Sequence, residues 1–276
     1  MQKAKVSSKH SQVRSQRSNE KVDKPVEIFG VTIFGTHRQE VLKKIGLQRK
    51  DMLHVATVNP EYVMEARHSP EFREILTHCL TVADGHGVVW AYQIINHKFP
   101  ALPAGRSNSQ IERISGARLV EEILKRANKR GEKVFLLGAK PGIAEKAATE
   151  MARRYPGARY AWFEGARTVA VEASEEASMT IAKINGFEPD YLLVAYGSPW
   201  QDIWIEENRS YLRTRVAMGV GGVLDEWAGV VAICPKWLDR LGLKWAWRVI
   251  HEPWRLSRVL KVFQFATLVL YHKLVD

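Results

Sequence analysis

From Glu27 onward, short runs of aliphatic and β-branched residues alternate with segments of helical periodicity. This alternation is typical of parallel strands in one sheet with helices on both faces, so it predicts an α/β fold. The sequence predicts strands at Ile28–Phe34, Leu53–Val58, Leu80–Ala83, Lys133–Leu137, Tyr191–Ala195 and Val216–Met218. It predicts helices at Pro60–His68, Pro70–Cys79, Val88–Ile95, Ala117–Arg130, Ile143–Arg154 and Gln201–Asn208.

Positive charge is concentrated at the two ends of the chain, whose formal net charge is +11. Residues 1–24 carry seven basic and two acidic residues, and residues 236–276 carry eight and three. Basic ends on a near-neutral body favour an anionic surface as partner and argue against a nucleic-acid groove through the core. Residues 1–24 contain hardly an apolar residue, so we expect a disordered tail without a secretory signal.

Neither a membrane span nor a disulfide is expected. The apolar run Val262–Tyr271 is too short to cross a bilayer, which takes about 20 residues. The two cysteines, Cys79 and Cys234, lie in apolar contexts without metal or redox spacing. This favours two buried, reduced thiols in a cytosolic protein.

Polar residues and glycines follow several predicted strands, at the edge where parallel sheets bind ligands. Asp84 ends a strand in "LTVADGHGVV" and is followed by Gly85 and Gly87. The residues in comparable places are Thr57, Asn59, Gly138, Gly142, Gly197, Ser198, Gln201, Gly219, Gly221, Gly222 and Asp225. Each alone has a structural explanation, because Asn and Asp cap helices and glycines relieve tight turns. Together at one sheet edge they predict a ligand site.

The motifs at these positions resemble the WecG/TagA/CpsF family of bacterial glycosyltransferases. The matching stretches are "TVNPEYV", "ADGHGVVWA", "ERISGARLVEEI", "FLLGAKPGIAEKAA", "PDYLLVAYGSPWQDIWI", "GVGGVLDEWAG" and "PKWLDRLGLKWAWRVIHEPWRLSRVLK". The resemblance implies a Rossmann-like parallel sheet with a C-terminal helical appendage. It also implies inverting transfer of a sugar from a UDP-sugar to a polyprenyl-diphosphate-linked sugar, without a metal or other cofactor. The donor sugar stays open between N-acetylmannosamine, its uronic acid and glucose.

The resemblance also assigns roles to individual residues. Asp84 matches the proposed general base, and Thr57 and Asn59 match residues that orient the sugars. Arg113 matches a pocket arginine, although a salt bridge near Glu112 or a solvated charge would explain it equally well. Further substrate-binding positions are Gly138, Gln201 and Asp225. The structural alternatives stay open: Asp84 as a helix N-cap, Asn59 as the cap of the helix at Pro60, and Asp225 as the cap of the turn that follows it.

Arginines near the C-terminus match residues that would stabilise the UDP leaving group. They are Arg248, Arg255 and Arg258, of which the last two share a helix face. The apolar residues Trp254, Val259, Phe263, Ala266 and Leu270 add the pattern of an interfacial helix. The alternative is a buried C-terminal helix with a solvated basic stripe.

The chain is therefore divided into a basic tail at 1–24, an α/β core at 25–235 and a membrane-associating appendage at 236–276. We expect a cytoplasmic protein on the inner face of the cell membrane. Its partners would be a UDP-sugar donor, a polyprenyl-diphosphate-linked acceptor and an anionic membrane surface, with no nucleic acid. The sequence does not decide between a monomer and a homo-oligomer.

Several residues depart from the family pattern. Ile233-Cys234-Pro235 stands where Arg-Ala-Pro is familiar, Lys244 replaces a more usual acid, and the loop 96–110 is long. Two other functions were weighed. A nicotinamide enzyme is disfavoured because "GAKPG" and "GVGG" do not fit the dinucleotide fingerprint. A non-enzymatic scaffold is disfavoured because it has no need of the cluster Thr57, Asn59, Asp84 and Gln201.

Overall fold

The computed structural model describes residues 24–48, 50–96, 111–165, 174–235, 237–238, 241, 243–252 and 256–275. Its strands are β1 Val26–Ile28, β2 Val31–Ile33, β3 Leu53–Val58, β4 Leu80–Ala83, β5 Lys133–Gly138, β6 Arg159–Phe163, β7 Tyr191–Ala195 and β8 Val216–Gly219. Six of them form one sheet in the order β4-β3-β8-β7-β5-β6, and every pair in it is parallel. The predicted α/β class is confirmed.

Helices cover both faces of this sheet. In chain order they are α1 Arg38–Gly46, α2 Pro60–His68, α3 Pro70–Thr77, α4 His86–Ile95, α5 Gly116–Arg130, α6 Ile143–Arg154, α7 Ser174–Phe187, α8 Trp200–Glu207, α9 Val223–Trp227, α10 Lys244–His251 and α11 Leu256–Val275. Two of the starts follow directly from the sequence. Asn59 and Ser69 each accept a hydrogen bond from a backbone N–H in the first turn, and a proline follows each of them.

The first predicted strand is wrong in one respect. The segment Ile28–Phe34 is not one strand but part of an antiparallel hairpin, in which β1 pairs with β2. Phe29 and Gly30 turn the chain with φ of 49° and 82°. Positive φ at both central residues is the geometry of a tight hairpin turn. A phenylalanine in that turn continues the apolar run and conceals the reversal.

Two elements between β5 and β7 were not predicted. Strand β6 lies at the sheet edge, and its residues are exposed or only partly buried. Helix α7 follows it and packs Ile184 into the core cluster of Phe135, Leu192 and Trp204. An edge strand with Arg159 and Trp162 facing outward lacks the continuous apolar run that identified the central strands.

Helix α11 packs on the body of the protein. Its residues Phe265 and Val269 are buried in the same cluster as Tyr62 of α2 and Val88 of α4. Lys261 adds a contact of 2.6 Å between its Nζ and Glu65 Oε2 on α2. In the described parts of the chain, none of the helices combines the length and the apolar character that crossing a membrane requires.

Both cysteines are thiols rather than partners in a disulfide. Cys79 is buried as expected, whereas Cys234 is only half-buried, so the expectation of two buried thiols holds for one of them. The tail 1–24 lies outside the described residues except for Lys24, and the loop 96–110 lies outside them except for Asn96.

Candidate active site

A cavity of about 550 Å³ lies at the carboxyl ends of β3, β4, β7 and β8. These four strands are neighbours in the sheet, so the residues that follow them converge on one place. The cavity wall includes Thr57, Asn59, Asp84, Arg113, Gln201 and Arg248, which are six of the predicted site residues. Residues of α2, α4, α5 and α9 and of the C-terminal helices α10 and α11 also line it.

Asp84 lies at the cavity because β4 ends there. Its backbone N–H donates to the Val58 carbonyl oxygen at 2.7 Å, which ties the end of β4 to the end of β3. The N-cap residue of α4 is Gly85 and not Asp84. Gly116, at the start of α5, lies close to the side chains of Thr57 and Asp84. An ideal Cβ on Gly116 would be 3.1 Å from Thr57 Cγ2 and 3.5 Å from Asp84 Oδ2.

Asn59 serves the structural role that the sequence left open. Its Oδ1 accepts a hydrogen bond from the Tyr62 backbone N–H at 3.0 Å and so caps α2. Asn59 also lines the cavity. Capping engages Oδ1, so the amide group is the part that suits contact with a ligand.

Arg113 contacts a histidine that sequence reasoning quoted only as part of a motif. Its Nη1 donates to His86 Nε2 at 2.8 Å. A guanidinium has no acceptor, so His86 accepts at Nε2 and carries its proton on Nδ1. The His86 ring also lies 5.5 Å from the ring of Trp90, and all three side chains line the cavity. Glu112, the alternative partner, instead accepts from the backbone N–H of Arg38.

Gln201 is buried at the floor of the cavity, and both ends of its amide group are bonded. Its Nε2 donates to the Tyr62 hydroxyl oxygen at 2.9 Å, and its Oε1 accepts from the Gly221 backbone N–H at 2.9 Å. Burial and the neighbouring Asp202 raise the pKa of Tyr62 well above its ordinary value. Tyr62 therefore keeps its hydroxyl proton at neutral pH.

Arg248 on α10 reaches the cavity and forms an ion pair with Glu226 of α9. Both side chains are largely buried, with 17% and 11% exposed. Sequence reasoning missed Glu226 and named its neighbour Asp225. The structure places Asp225 and Gly138 outside the cavity wall. Arg255 lies outside the described residues, and so does the side chain of Arg258.

Further residues of the wall were missed because single positions carry no periodic signal. They are Tyr62, His86, Trp90, Gly116 and Glu226. All five stand inside the motifs that carry the family resemblance, and this is the signal that could have drawn attention to them. Among the described residues, no group of three or more His, Cys, Asp or Glu side chains is arranged to hold a metal ion.

The parallel sheet and the cavity at its carboxyl edge place the chain in the class of Rossmann-like α/β proteins that bind ligands at this edge. The model of the glycosyl transferase WecG/TagA/CpsF family matches residues 26–276. The chain belongs to this family.

Two relatives carry the same name, N-acetylglucosaminyldiphosphoundecaprenol N-acetyl-beta-D-mannosaminyltransferase. The protein of Bacillus subtilis (strain 168) is 28% identical over 232 residues, which cover 84% of this chain and 84% of the relative. The protein of Staphylococcus aureus (strain MRSA252) is 31% identical over 242 residues, which cover 86% of this chain and 89% of the relative.

Proposed function

We propose that this glycosyltransferase moves N-acetylmannosamine from a UDP-sugar to polyprenyl-diphosphate-linked N-acetylglucosamine, with inversion at the anomeric carbon. The polymer served would be a bacterial cell-surface glycopolymer. The observation that carries the proposal is the position of Asp84 in a cavity shared with Thr57, Arg113 and Arg248. The names of the relatives support the two sugars and the lipid diphosphate.

Asp84 is assigned the role of general base. In the proposed step the acceptor hydroxyl oxygen bonds to the anomeric carbon, and the bond from that carbon to the UDP oxygen breaks. The hydroxyl proton passes to Asp84, and UDP leaves with the electron pair. Gly116 leaves little free space between Thr57 and the carboxylate, which limits how far the carboxylate can move relative to the sugar.

Arginines are assigned to the charge that develops on the leaving diphosphate. Arg248 is held at the cavity by Glu226, and Arg113 is held by His86. A fixed guanidinium needs little rearrangement as the charge develops, which favours the transition state over the bound substrate. Arg255 and Arg258 are proposed to join them, on the strength of the family resemblance alone.

The C-terminal helices are proposed to rest on the inner face of the cell membrane. Large apolar side chains are exposed on α10 and α11: Trp245, Ile250, Leu256, Leu260, Phe263, Leu270, Tyr271 and Leu274. Exposed apolar surface of this extent on a basic segment suits the boundary between headgroups and acyl chains. Each basic residue near anionic lipid adds about 1 kcal/mol. A lipid-linked acceptor would then reach the cavity from the same surface.

The test is a transfer assay with a short-chain lipid diphosphate of N-acetylglucosamine and three donors: UDP-N-acetylmannosamine, its uronic acid and UDP-glucose. The first donor is expected to give product of inverted configuration. Preference for either of the others would revise the donor and keep the reaction class. Absence of transfer from all three, by folded protein with lipid present, would refute the proposal.

The same assay tests the base. Asp84→Asn keeps the shape of the side chain but cannot take up the proton, so turnover should fall by about 10²–10⁴-fold while UDP binding stays near wild type. Asp51→Asn, at an exposed residue before β3, is the matched control and should be fully active. An Asp84→Asn variant with normal turnover would remove Asp84 from this role.

A further inference from the structure

Behind Gln201, the floor of the cavity is supported by a buried hydrogen-bond network of polar side chains that the proposed reaction does not use. The Tyr62 hydroxyl donates to Asp202 Oδ2 at 2.5 Å. His54 Nε2 lies 3.2 Å from Asp202 Oδ1 on the side away from the cavity. Asp202 and His54 are completely or almost completely buried. Burying a polar group raises the free energy of the folded state unless the group is hydrogen-bonded. This network is therefore a specific arrangement rather than a chance contact.

Two further groups contact His54 at the end of this hydrogen-bond network that is farthest from Gln201. His54 Nδ1 lies 3.3 Å from Glu206 Oε2 and 3.2 Å from Cys79 Sγ. Burial by itself lowers the pKa of His54, but Cys79, Asp202 and Glu206 outweigh it, and the pKa lies well above its ordinary value. An imidazolium donates at both nitrogens, so both carboxylates receive a proton donor from His54.

The contacts of Tyr62 and Gln201 fix the direction of the hydrogen bonds nearest the cavity. Because Asp202 accepts from His54 and from Tyr62, the one hydroxyl proton of Tyr62 is committed to Asp202. The Tyr62 oxygen can therefore only accept, and it accepts from Gln201 Nε2. This sets the orientation of the Gln201 amide, with Oε1 facing the Gly221 N–H. The flipped amide would place two donors together at Gly221 and leave its carbonyl oxygen without a donor at Tyr62.

The glycine turn Gly219–Gly222 is packed directly on this amide. An ideal Cβ on Gly219 would lie only 2.4 Å from Gln201 Nε2, so the backbone approaches as closely as a glycine allows. Gly221 is bonded to the same side chain and has a φ of 52°. Every residue of the turn lines the cavity. A shift of Gln201 therefore moves the wall of the cavity.

We propose that Tyr62, Asp202 and His54 are positioning residues, which fix the Gln201 side chain and through it the glycine turn Gly219–Gly222. On this view Gln201 acts by shaping the wall rather than by contacting the ligand, because both ends of its amide are already bonded. The statement that the turn borders the donor sugar rests on the proposed function. The positioning of the turn by Gln201 does not depend on that function.

The test compares two buried tyrosines whose hydroxyl groups each donate to a carboxylate. Tyr62→Phe removes the hydroxyl group and so interrupts the hydrogen-bond network. It keeps the aromatic ring, whose centroid lies 5.4 Å from that of the Phe72 ring. Tyr191→Phe is the matched control, because its hydroxyl donates to Glu132 Oε2 at 2.9 Å. Tyr191 begins β7, at the end of the sheet opposite the cavity.

The first readout needs no substrate. Hydrogen exchange of the Gly221 backbone amide, followed by NMR, should be at least about tenfold faster in Tyr62→Phe, since the hydrogen bond that is lost is one to a carboxylate, which is stronger than a bond between neutral groups. Exchange at the core amide of Leu193 reports global opening and should change much less. Tyr191→Phe should leave Gly221 within twofold of wild type relative to Leu193. Asp202→Leu removes the acceptor of the Tyr62 hydroxyl group and is used if Tyr62→Phe does not fold.

The second readout is kinetic. Tyr62→Phe should raise the KM for the donor about tenfold and leave kcat within about threefold, because the binding wall is disturbed and the base is not. Unchanged exchange at Gly221, or an equal rise at Gly221 and Leu193, would overturn the proposal. Wild-type protein that transfers no sugar but shows the expected exchange pattern would refute the proposed function and leave this inference standing.

Discussion

Gly116→Ala tests how tightly the surroundings of Asp84 are fixed. A methyl carbon at residue 116 would lie 3.1 Å from Thr57 Cγ2, 3.4 Å from Thr57 Oγ1 and 3.5 Å from Asp84 Oδ2. Carbon atoms prefer a separation of about 3.5–4.0 Å, so Thr57 must move by roughly 0.5 Å. A misplacement of about 1 Å near the reacting atoms can cost about 10²-fold in rate. Half that shift predicts a loss of about tenfold in kcat.

The fold should tolerate this change. Alanine is favoured over glycine in a helix by about 1 kcal/mol, and crowding typically costs about 1–3 kcal/mol. We therefore expect the free energy of unfolding to change by no more than about 2 kcal/mol, which urea denaturation would measure. Because the methyl group points at Asp84, the proposed base, and not at the arginines proposed to hold UDP, the Kd for UDP should stay within about twofold of wild type.

Gly186→Ala is the matched control for this experiment. Gly186 lies in α7, and a Cβ there would meet no atom within 4 Å. Its transfer rate should equal that of wild type in the same assay. If Gly116→Ala is folded, binds UDP and retains kcat within twofold, then the spacing of Thr57 and Asp84 does not limit the reaction. The positional argument for the base would then be wrong.

Three further predictions concern stability, metal dependence and the C-terminal arginines. Burial acts to raise the pKa of Glu206, but hydrogen bonds from His54 and Arg209 outweigh it and lower the pKa to about 2. The stabilisation from Glu206 is therefore present above its unfolded pKa of about 4.3 and is lost as the pH falls toward 2. Glu206→Gln should cost about 1–3 kcal/mol at pH 7 in urea unfolding, and progressively less from pH 5 to pH 3; a cost independent of pH would contradict this. Since arginines are assigned to the leaving group, EDTA should leave the transfer rate unchanged, and inhibition reversed by magnesium or manganese would count against that assignment. Arg255→Ala combined with Arg258→Ala should lose activity even on a detergent-soluble acceptor, whereas loss confined to membranes would make these arginines an anchor only.

Much of the sheet could be predicted because its central strands are continuous apolar runs. Leu53–Val58, Leu80–Ala83 and Tyr191–Ala195 have the predicted bounds because at most one residue in each is not buried. The hairpin β1–β2 and the edge strand β6 were misread or missed for the opposite reason. At an edge or in a tight turn, tertiary pairing decides the structure and the residues carry no repeating pattern.

Site residues that directly follow strands could be predicted. Residues whose position depends on the rotation of a helix or on contacts distant in the sequence could not. Thr57, Asn59 and Asp84 meet because the strands before them are adjacent in the sheet. Choosing between Asp225 and Glu226 requires the rotation of the five-residue helix α9, which no pattern in so short a segment fixes.

The buried hydrogen-bond network behind the cavity could not be predicted from the sequence at all. His54 and Asp202 are 148 positions apart in the sequence, and His54 stands alone between Leu53 and Val55. A lone histidine in a buried strand carries no sign of its partner until the topology is known.

The two faces of α11 connect the cavity to the outer surface. Phe265 and Val269 are buried on one face and form part of the cavity wall, while Leu260, Phe263 and Leu274 are exposed on the rest of the helix. The hydrogen bond from Lys261 to Glu65 holds α11 against α2. On α2, the hydroxyl oxygen of Tyr62 accepts a hydrogen bond from Gln201. The helix that would meet lipid under the proposed function is thus the same helix that forms part of the cavity wall. Under the proposed function, the cavity is complete only with α11 docked, so membrane attachment and closure of the site depend on the same helix.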